Sequence, residues 1–315
     1  MTTSNRAPSS TIRIATRKSK LALWQAEHVA KRLRTELGLK SELVPIVTKG
    51  DRILDQPLAE IGGKGLFLKE LEQSLLANTC DIAVHSMKDV ASDMPAELHI
   101  ASLLERADPR DALLGAASLE QLPQNAIVGS ASLRRQSQML AKRPDLQMTL
   151  LRGNVDTRLA KLQQGEYHAI VLAVAGLERL GLGEHIDYIF PTELMIPAVG
   201  QGCIGIQCRR EHTWLNNALA TLSHRPTELG LAAERQCNLD LGGSCQAPIG
   251  IFGTWQANQL TLRGFVGDLT GTLCHGEVSA VIETSAAAID LGAQLAQLIR
   301  QQGGHKLLTQ QTPAI

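Results

Sequence analysis

The sequence predicts an α/β fold in two blocks with parallel sheets, followed by a small α+β unit carrying an antiparallel sheet. Three observations lead there. Apolar strand-like runs alternate with amphipathic helical stretches from residue 11 to about residue 180, the rhythm of strands buried on both faces by helices. Aromatic residues make up only 3% of the chain, so its cores are aliphatic, which suits α/β layers better than a ring-filled sandwich. After residue 225 the style changes to a helix and three strand-like runs joined by short turns.

The elements follow in order. TIRIAT (11–16) reads as a strand, and Ser19 can cap a helix whose apolar stripe is Leu23, Ala26, Ala30 and Leu33. ELVPIVT (42–48) is a second strand. GDRILDQPLAEIGGKG (50–65) carries four glycines and reads as a loop; LFLKELEQSLLA (66–77) is an amphipathic helix leading into the strand DIAVHSMKDV (81–90). The chain then turns polar at ERADPRD (105–111), a natural boundary between blocks. NAIVGS (125–130), LQMTLLRG (146–153) and AIVLAVAG (169–176) are strands, each running into a helical stretch. PTELGLAAERQCNLDL (226–241) is a helix opened by Pro226. GGSCQAPIGIFGTW, QLTLRGFVGD and TLCHGEVSAV are the late strands, and a last helix spans roughly 286–301.

At 315 residues the chain is long enough for two or three domains. Its 31 basic and 31 acidic residues cancel, so no global field steers it to nucleic acid or an anionic membrane. No apolar run approaches the ~20 residues that span a bilayer. The opening MTTSNRAPSSTIR lacks the apolar core of a signal peptide; residues 1–10 are expected to be a disordered leader and the protein cytoplasmic. Six cysteines, none in a C-x-x-C pair, read mostly as small buried hydrophobes in a reducing compartment.

Four strand-to-helix junctions place cationic and small polar side chains together: Arg17 with Ser19; Ser86 with Lys88; Ser130 and Ser132 with Arg134 and Arg135; Arg152 with Asn154 and Arg158. Ligands of open α/β sheets bind outside the carboxyl ends of strands, and guanidinium forks suit carboxylates. The implied ligand has several anionic groups. GQGCIG (200–205) matches a dinucleotide glycine pattern but runs into the strand-like IGIQC instead of a helix; GGKG (62–65) lacks Walker spacing, and the nine histidines show no metal-ligand spacing. Cys245, in LGGSCQAPIG, lies in a glycine-flanked turn that could present a thiol outward or bury it.

Taken together, RIATRKSKLALWQA, TKGDRILDQPLAEIGGKGLFLKELE, DIAVHSMKDV, ERADPRDAL, IVGSASLRRQSQ, LRGNVDTRLAKL, AIVLAVAGLERLG, PAVGQGCIGIQCR and AAERQCNLDLGGSCQAPIG closely resemble the porphobilinogen deaminase (hydroxymethylbilane synthase) family. The resemblance implies two periplasmic-binding-protein-like α/β domains with a central cleft, plus a small C-terminal α+β domain with an antiparallel sheet. The domains would be 11–106 with a returning segment 198–221, then 107–197, then 222–315. It implies stepwise condensation of four porphobilinogen molecules into linear hydroxymethylbilane, with release of ammonia, on a dipyrromethane cofactor held by a thioether to Cys245. Asp89 would be the catalytic carboxylate. Arg17, Ser19, Lys64, Ser86, Lys88, Ser130, Ser132, Arg134, Arg135, Arg152, Arg158 and Arg179 would bind the acetate and propionate arms. A monomer passing its product to a downstream cyclising enzyme is expected, with no metal, nucleic acid or membrane.

That chemistry suits the residues. A growing oligopyrrole accumulates carboxylates, a reason for many arginines in a chain of zero net charge. Departure of ammonia leaves a cation that a fixed carboxylate stabilises. Glu60 stands where members often carry lysine, and Ala131 where serine is frequent. Two rival readings are a non-catalytic anion-binding protein and a Schiff-base enzyme using Lys88; the first has no need of Cys245, and the second leaves Asp89 and the arginines underexplained.

Overall fold

A computed structural model describes residues 11–48, 68–91, 93–243 and 247–309. The leader 1–10, the 50–65 loop with Glu60 and Lys64, and Cys245 lie outside the described residues. The chain divides into two units, Met1–Ala107 with Cys203–Thr227, and Asp108–Gly202 with Glu228–Ile315.

The first unit is a five-stranded sheet of β1 (Ile12–Arg17), β2 (Ser41–Ile46), β3 (Ile82–Ser86), β4 (Leu98–Leu103) and β10 (Ile204–Arg209), in the order β2-β1-β3-β10-β4. Helix α1 (Lys20–Leu37) begins where Ser19 Oγ accepts from Ala22 N and stops at Gly38, whose φ of 65° reverses the chain. Its buried stripe, Ala26, Val29 and Leu33, packs with Ile12, Ile14, Ile82 and Val84 on one face of the sheet, joined by Leu215 and Leu219 of α6 (Thr213–Ala220). Leu71 and Leu75 of α2 (Lys69–Leu76) pack with Ala15, Ala83 and Leu98 in a separate core cluster. Each fully buried Leu, Ile or Val side chain among them contributes about 1.5–3 kcal/mol. Arg209 donates from one guanidinium nitrogen to Leu75 O and Cys80 O, satisfying a carbonyl at the end of α2.

The sheet is mixed, not parallel throughout. β1 pairs parallel with β2 and β3, but β10 runs antiparallel to both β3 and β4. An apolar run records burial on both faces, which β10 shares with β3; it does not record direction.

The second unit holds β5 (Asp111–Leu114), β6 (Ile127–Gly129), β7 (Gln147–Thr149), β8 (Ala169–Ala173) and β9 (Tyr188–Ile189), in the order β7-β6-β8-β5-β9. β6 pairs parallel with β7 and β8, and β5 antiparallel with β8 and β9. Helices α3 (Leu133–Lys142), α4 (Val155–Gln163) and α5 (Val174–Arg179) follow β6, β7 and β8. The apolar run 169–176 is a strand only to Ala173; Val174 and Ala175 open α5 and are as buried as the strand, so periodicity could not mark the change. The same unit contains an antiparallel meander of β11 (Ile249–Gln256), β12 (Gln259–Gly267) and β13 (Leu273–Val281). Its core is shared with α7 (Arg225–Asp240) and α8 (Ser285–Gln301), and α9 (Gly304–Thr309) follows. α8 crosses α7 so closely at Gly292 that a Cβ there would lie 2.3 Å from Ala233 O. Among the described residues no helix is long and apolar enough to cross a membrane.

Candidate active site

Because β1 and β3 are parallel neighbours with Ala15 beside Ala83, their carboxyl ends come out side by side. The first continues into Arg17 and Ser19, the second into Ser86 and a one-turn 3₁₀ helix, Met87–Asp89. These residues line one concavity: Arg17, Ser19, Ser86, Lys88 and Asp89 share it with Gln25 and His85. Its cavity volume is ≈ 80 Å³, below the ~300–1,000 Å³ typical of small-molecule sites. Five sequence-predicted residues therefore meet in a single unit.

The turn is seated by residues with no chemical role. Met87 is buried, and its N–H donates to Cys203 O over 3.0 Å. Its thioether occupies the space beside Gly205, where a Cβ would lie 2.2 Å from Met87 Sδ. With Met87 turned inward, Lys88 is half-buried and Asp89 exposed. Ser19 Oγ accepts from Ala22 N at 3.3 Å, leaving its O–H able to donate.

Two members of this wall were not anticipated. Gln25 is 3% exposed, and its Nε2 has no hydrogen-bond partner among the described residues; a buried donor facing a polar cavity invites an acceptor. Its signal in the sequence was a polar residue directly beside the apolar stripe position Ala26. His85 is buried, and desolvation lowers its imidazole to about 4 against the opposing hydrogen bond to Gln207, so the ring is neutral at working pH.

The second unit carries the other predicted cations. Ser130 is buried, and its Oγ accepts from Ser132 N at 3.2 Å. Arg158 Nε donates to Gly153 O over 2.8 Å, and Arg179 donates to Gly202 O over 2.7 Å. Arg152 is half-buried. Arg134 and Arg135 have a commitment that sequence reading missed. They are 4% and 6% exposed, and both grip the buried Asp111, at 2.8 and 2.7 Å. Arg134 also donates to Ile196 O, Arg135 to Val171 O, and Gln201 Nε2 to Asp111. Burial works to raise the Asp111 carboxyl, yet the two guanidiniums and Gln201 hold it well below the usual carboxylate range. Burial lowers Arg134 from its ordinary value while Asp111 opposes that shift. Among the described residues no three His, Cys, Asp or Glu side chains gather as metal ligands.

Comparison with known families bears directly on this arrangement. The model for the porphobilinogen deaminase dipyromethane cofactor binding domain matches residues 12–217, and that for the porphobilinogen deaminase C-terminal domain matches residues 229–301. The chain belongs to the porphobilinogen deaminase family. It is a transferase of porphyrin and heme biosynthesis that forms hydroxymethylbilane from porphobilinogen and uses a dipyrromethane cofactor. Several solved structures are distantly similar to the chain. A TRAP periplasmic solute binding protein from Desulfovibrio salexigens is 10% identical, with 70% of this chain and 74% of that one covered and a TM-score of 0.43. Immunogenic lipoprotein A from Vibrio vulnificus is 12% identical, with 67% and 93% covered and a TM-score of 0.42. An ABC transporter periplasmic substrate-binding protein from Coxiella burnetii is 11% identical, with 66% and 92% covered and a TM-score of 0.40.

Proposed function

We propose that Asp89 is the catalytic carboxylate of this porphobilinogen deaminase family member, and that Cys245 carries the dipyrromethane through a thioether. The observation that supports the first assignment is the convergence of Asp89, Lys88, Arg17, Ser19 and Ser86 on one concavity. The donor set suits a ligand with carboxylate arms: two cationic side chains, hydroxyls, and the buried Gln25 Nε2 awaiting an acceptor. When bound, the dipyrromethane supplies the pyrrole carbon from which the chain grows. Arg17, Ser19, Ser86, Lys88 and Gln25 orient the carboxylate arms of porphobilinogen. Asp89 accepts the pyrrole N–H and stabilises the positive charge that develops on the substrate ring as ammonia leaves, a preorganised electrostatic role that needs no covalent bond.

Ser130, Ser132, Arg152, Arg158 and Arg179 are proposed as further anion-binding positions on the second unit, and Lys64 as another. Arg134 and Arg135 belong to the same proposal at one remove: held by Asp111, they add positive charge behind Ser130 and Ser132. The domain boundaries 11–106 with 198–221, 107–197 and 222–315, a monomeric state, a cytoplasmic location and transfer of product to a cyclising enzyme complete the reading.

Intact mass and turnover test it together. The purified protein is expected to exceed its chain mass by two porphobilinogen-derived units, and Cys245→Ser to lose that excess. Asp89→Asn is expected to keep the excess and lose nearly all turnover. A bare-chain mass in active protein would remove the Cys245 assignment, and near-normal turnover of the Asn variant would remove the role of Asp89.

A further inference from the structure

A directional chain of three side chains runs through the first unit. His85 Nε2 and Gln207 Oε1 are 2.9 Å apart, and Gln207 Nε2 donates to Glu72 Oε1 over 3.0 Å. His85 stands on β3, Gln207 on the adjacent β10, and Glu72 in the first turn of α2. His85 and Gln207 are buried and Glu72 is half-buried.

Each link fixes the next. Burial raises the Glu72 carboxyl from its ordinary value and the hydrogen bond from Gln207 opposes that shift; in its ionised form the carboxylate offers only acceptors, so Gln207 turns its NH₂ toward it and its carbonyl toward His85. A carbonyl oxygen only accepts, so His85 Nε2 is the nitrogen that carries the hydrogen. The ring is neutral, so Nδ1 is left with a lone pair. Nδ1 has no partner among the described residues and is not among the side-chain atoms sealed from solvent without one. His85 lines the concavity that holds Ser86, Lys88 and Asp89, and Nδ1 is the ring atom left to open on it. The other predicted polar groups there are cations, hydroxyls and one anion.

We infer that Glu72, through Gln207, sets the tautomer of His85, so that Nδ1 serves in the active-site concavity as an uncharged acceptor for an N–H donor of the substrate. This rests on the proposed function of that concavity. A neutral acceptor binds an N–H group without competing with Asp89 for a cation or repelling the carboxylate arms. Its neighbour Gly205, opposite His85 in the sheet, adds no side chain beside the ring.

The tautomer is directly measurable. Long-range ¹H–¹⁵N correlation on the ¹⁵N-labelled full chain, with the His85 signals assigned by their loss in His85→Gln, is expected to show hydrogen on Nε2. In Glu72→Gln the amide at 207 is free to flip, and the His85 signals are expected to move to a tautomer mixture. The KM for porphobilinogen is expected to rise about three- to tenfold, the worth of one neutral hydrogen bond, with kcat within about twofold. A porphobilinogen analogue bearing methyl in place of aminomethyl separates the donors. Weaker inhibition of His85→Gln than of the parent assigns the pyrrole N–H, and equal inhibition assigns the amine. A hydrogen on Nδ1 in the unaltered protein overturns the inference without any variant having to fold, and so does a shifted tautomer in Glu72→Gln with unchanged KM. Either result leaves the Asp89 assignment standing, since that depends on Asp89→Asn.

Discussion

At the scale of single residues, burial and partner together decide what each ionisable group does. His85 takes up a proton only near pH 4 in the fold, whereas an unfolded histidine does so near its ordinary 6.5. Between those values the unfolded chain binds a proton that the folded chain refuses, so stability is full above about pH 6.5 and falls as pH drops toward 4, by roughly 3 kcal/mol in all. Urea midpoints measured from pH 7 to 4.5 are expected to fall accordingly, and His85→Gln to flatten that slope. Asp111 acts in a separate, lower window: its folded value is depressed, so its contribution is held down to the unfolded carboxylate range near ~3.9 and lost only below it. Arg134 and Arg135 show where reading by residue type stops. An SLRR motif at a helix start says that cations gather, but Asp111 lies 23 residues from Arg134. No spacing rule ties a strand-opening aspartate to a helix that distant.

At the scale of elements, close approach is what the glycines encode. Gly292 lets α8 lie on α7; because the obstructing atom is a backbone oxygen 2.3 Å from the added Cβ, the helices must separate to admit a methyl. Gly292→Ala is expected to cost about 1–3 kcal/mol, read as a lowered melting temperature, with the cofactor mass unchanged. Helices with caps were legible: Ser19 marks the start of α1, and α7 and α8 fall within a residue of the spans expected for them. Strands outside the strand-then-helix rhythm were not. β4, β5 and β9 span six, four and two residues, and each is followed by another strand, with no amphipathic helix to mark it. The Lys88–Asp89 junction was visible as a polar end to an apolar strand. Its aim was not, because that depends on Met87 finding room beside Gly205, 118 positions later in the chain, in a strand whose direction the sequence does not announce.

At the scale of the whole molecule, neither unit is continuous in sequence: the chain leaves the first after Ala107, returns at Cys203 and departs again after Thr227. β10 is the centrepiece of that return, lying between β3 and β4. A full-length chain in which β10 is replaced by a Gly-Ser linker of equal length is expected to lack a cooperative thermal transition and to aggregate on size exclusion, because β3 and β4 lose the strand that joins them. A transition like that of the unaltered protein in this variant would show that β10 is dispensable. The same interleaving has a consequence during synthesis. At about 5–20 residues per second, a ribosome needs roughly five to twenty seconds to travel from the end of β4 to the end of β10. For that interval the nascent chain presents the bare edges of β3 and β4, and the turn bearing Asp89 has no Cys203 carbonyl to hold it. The first unit is therefore born before it can be finished, and holding chaperones would have their moment in that pause.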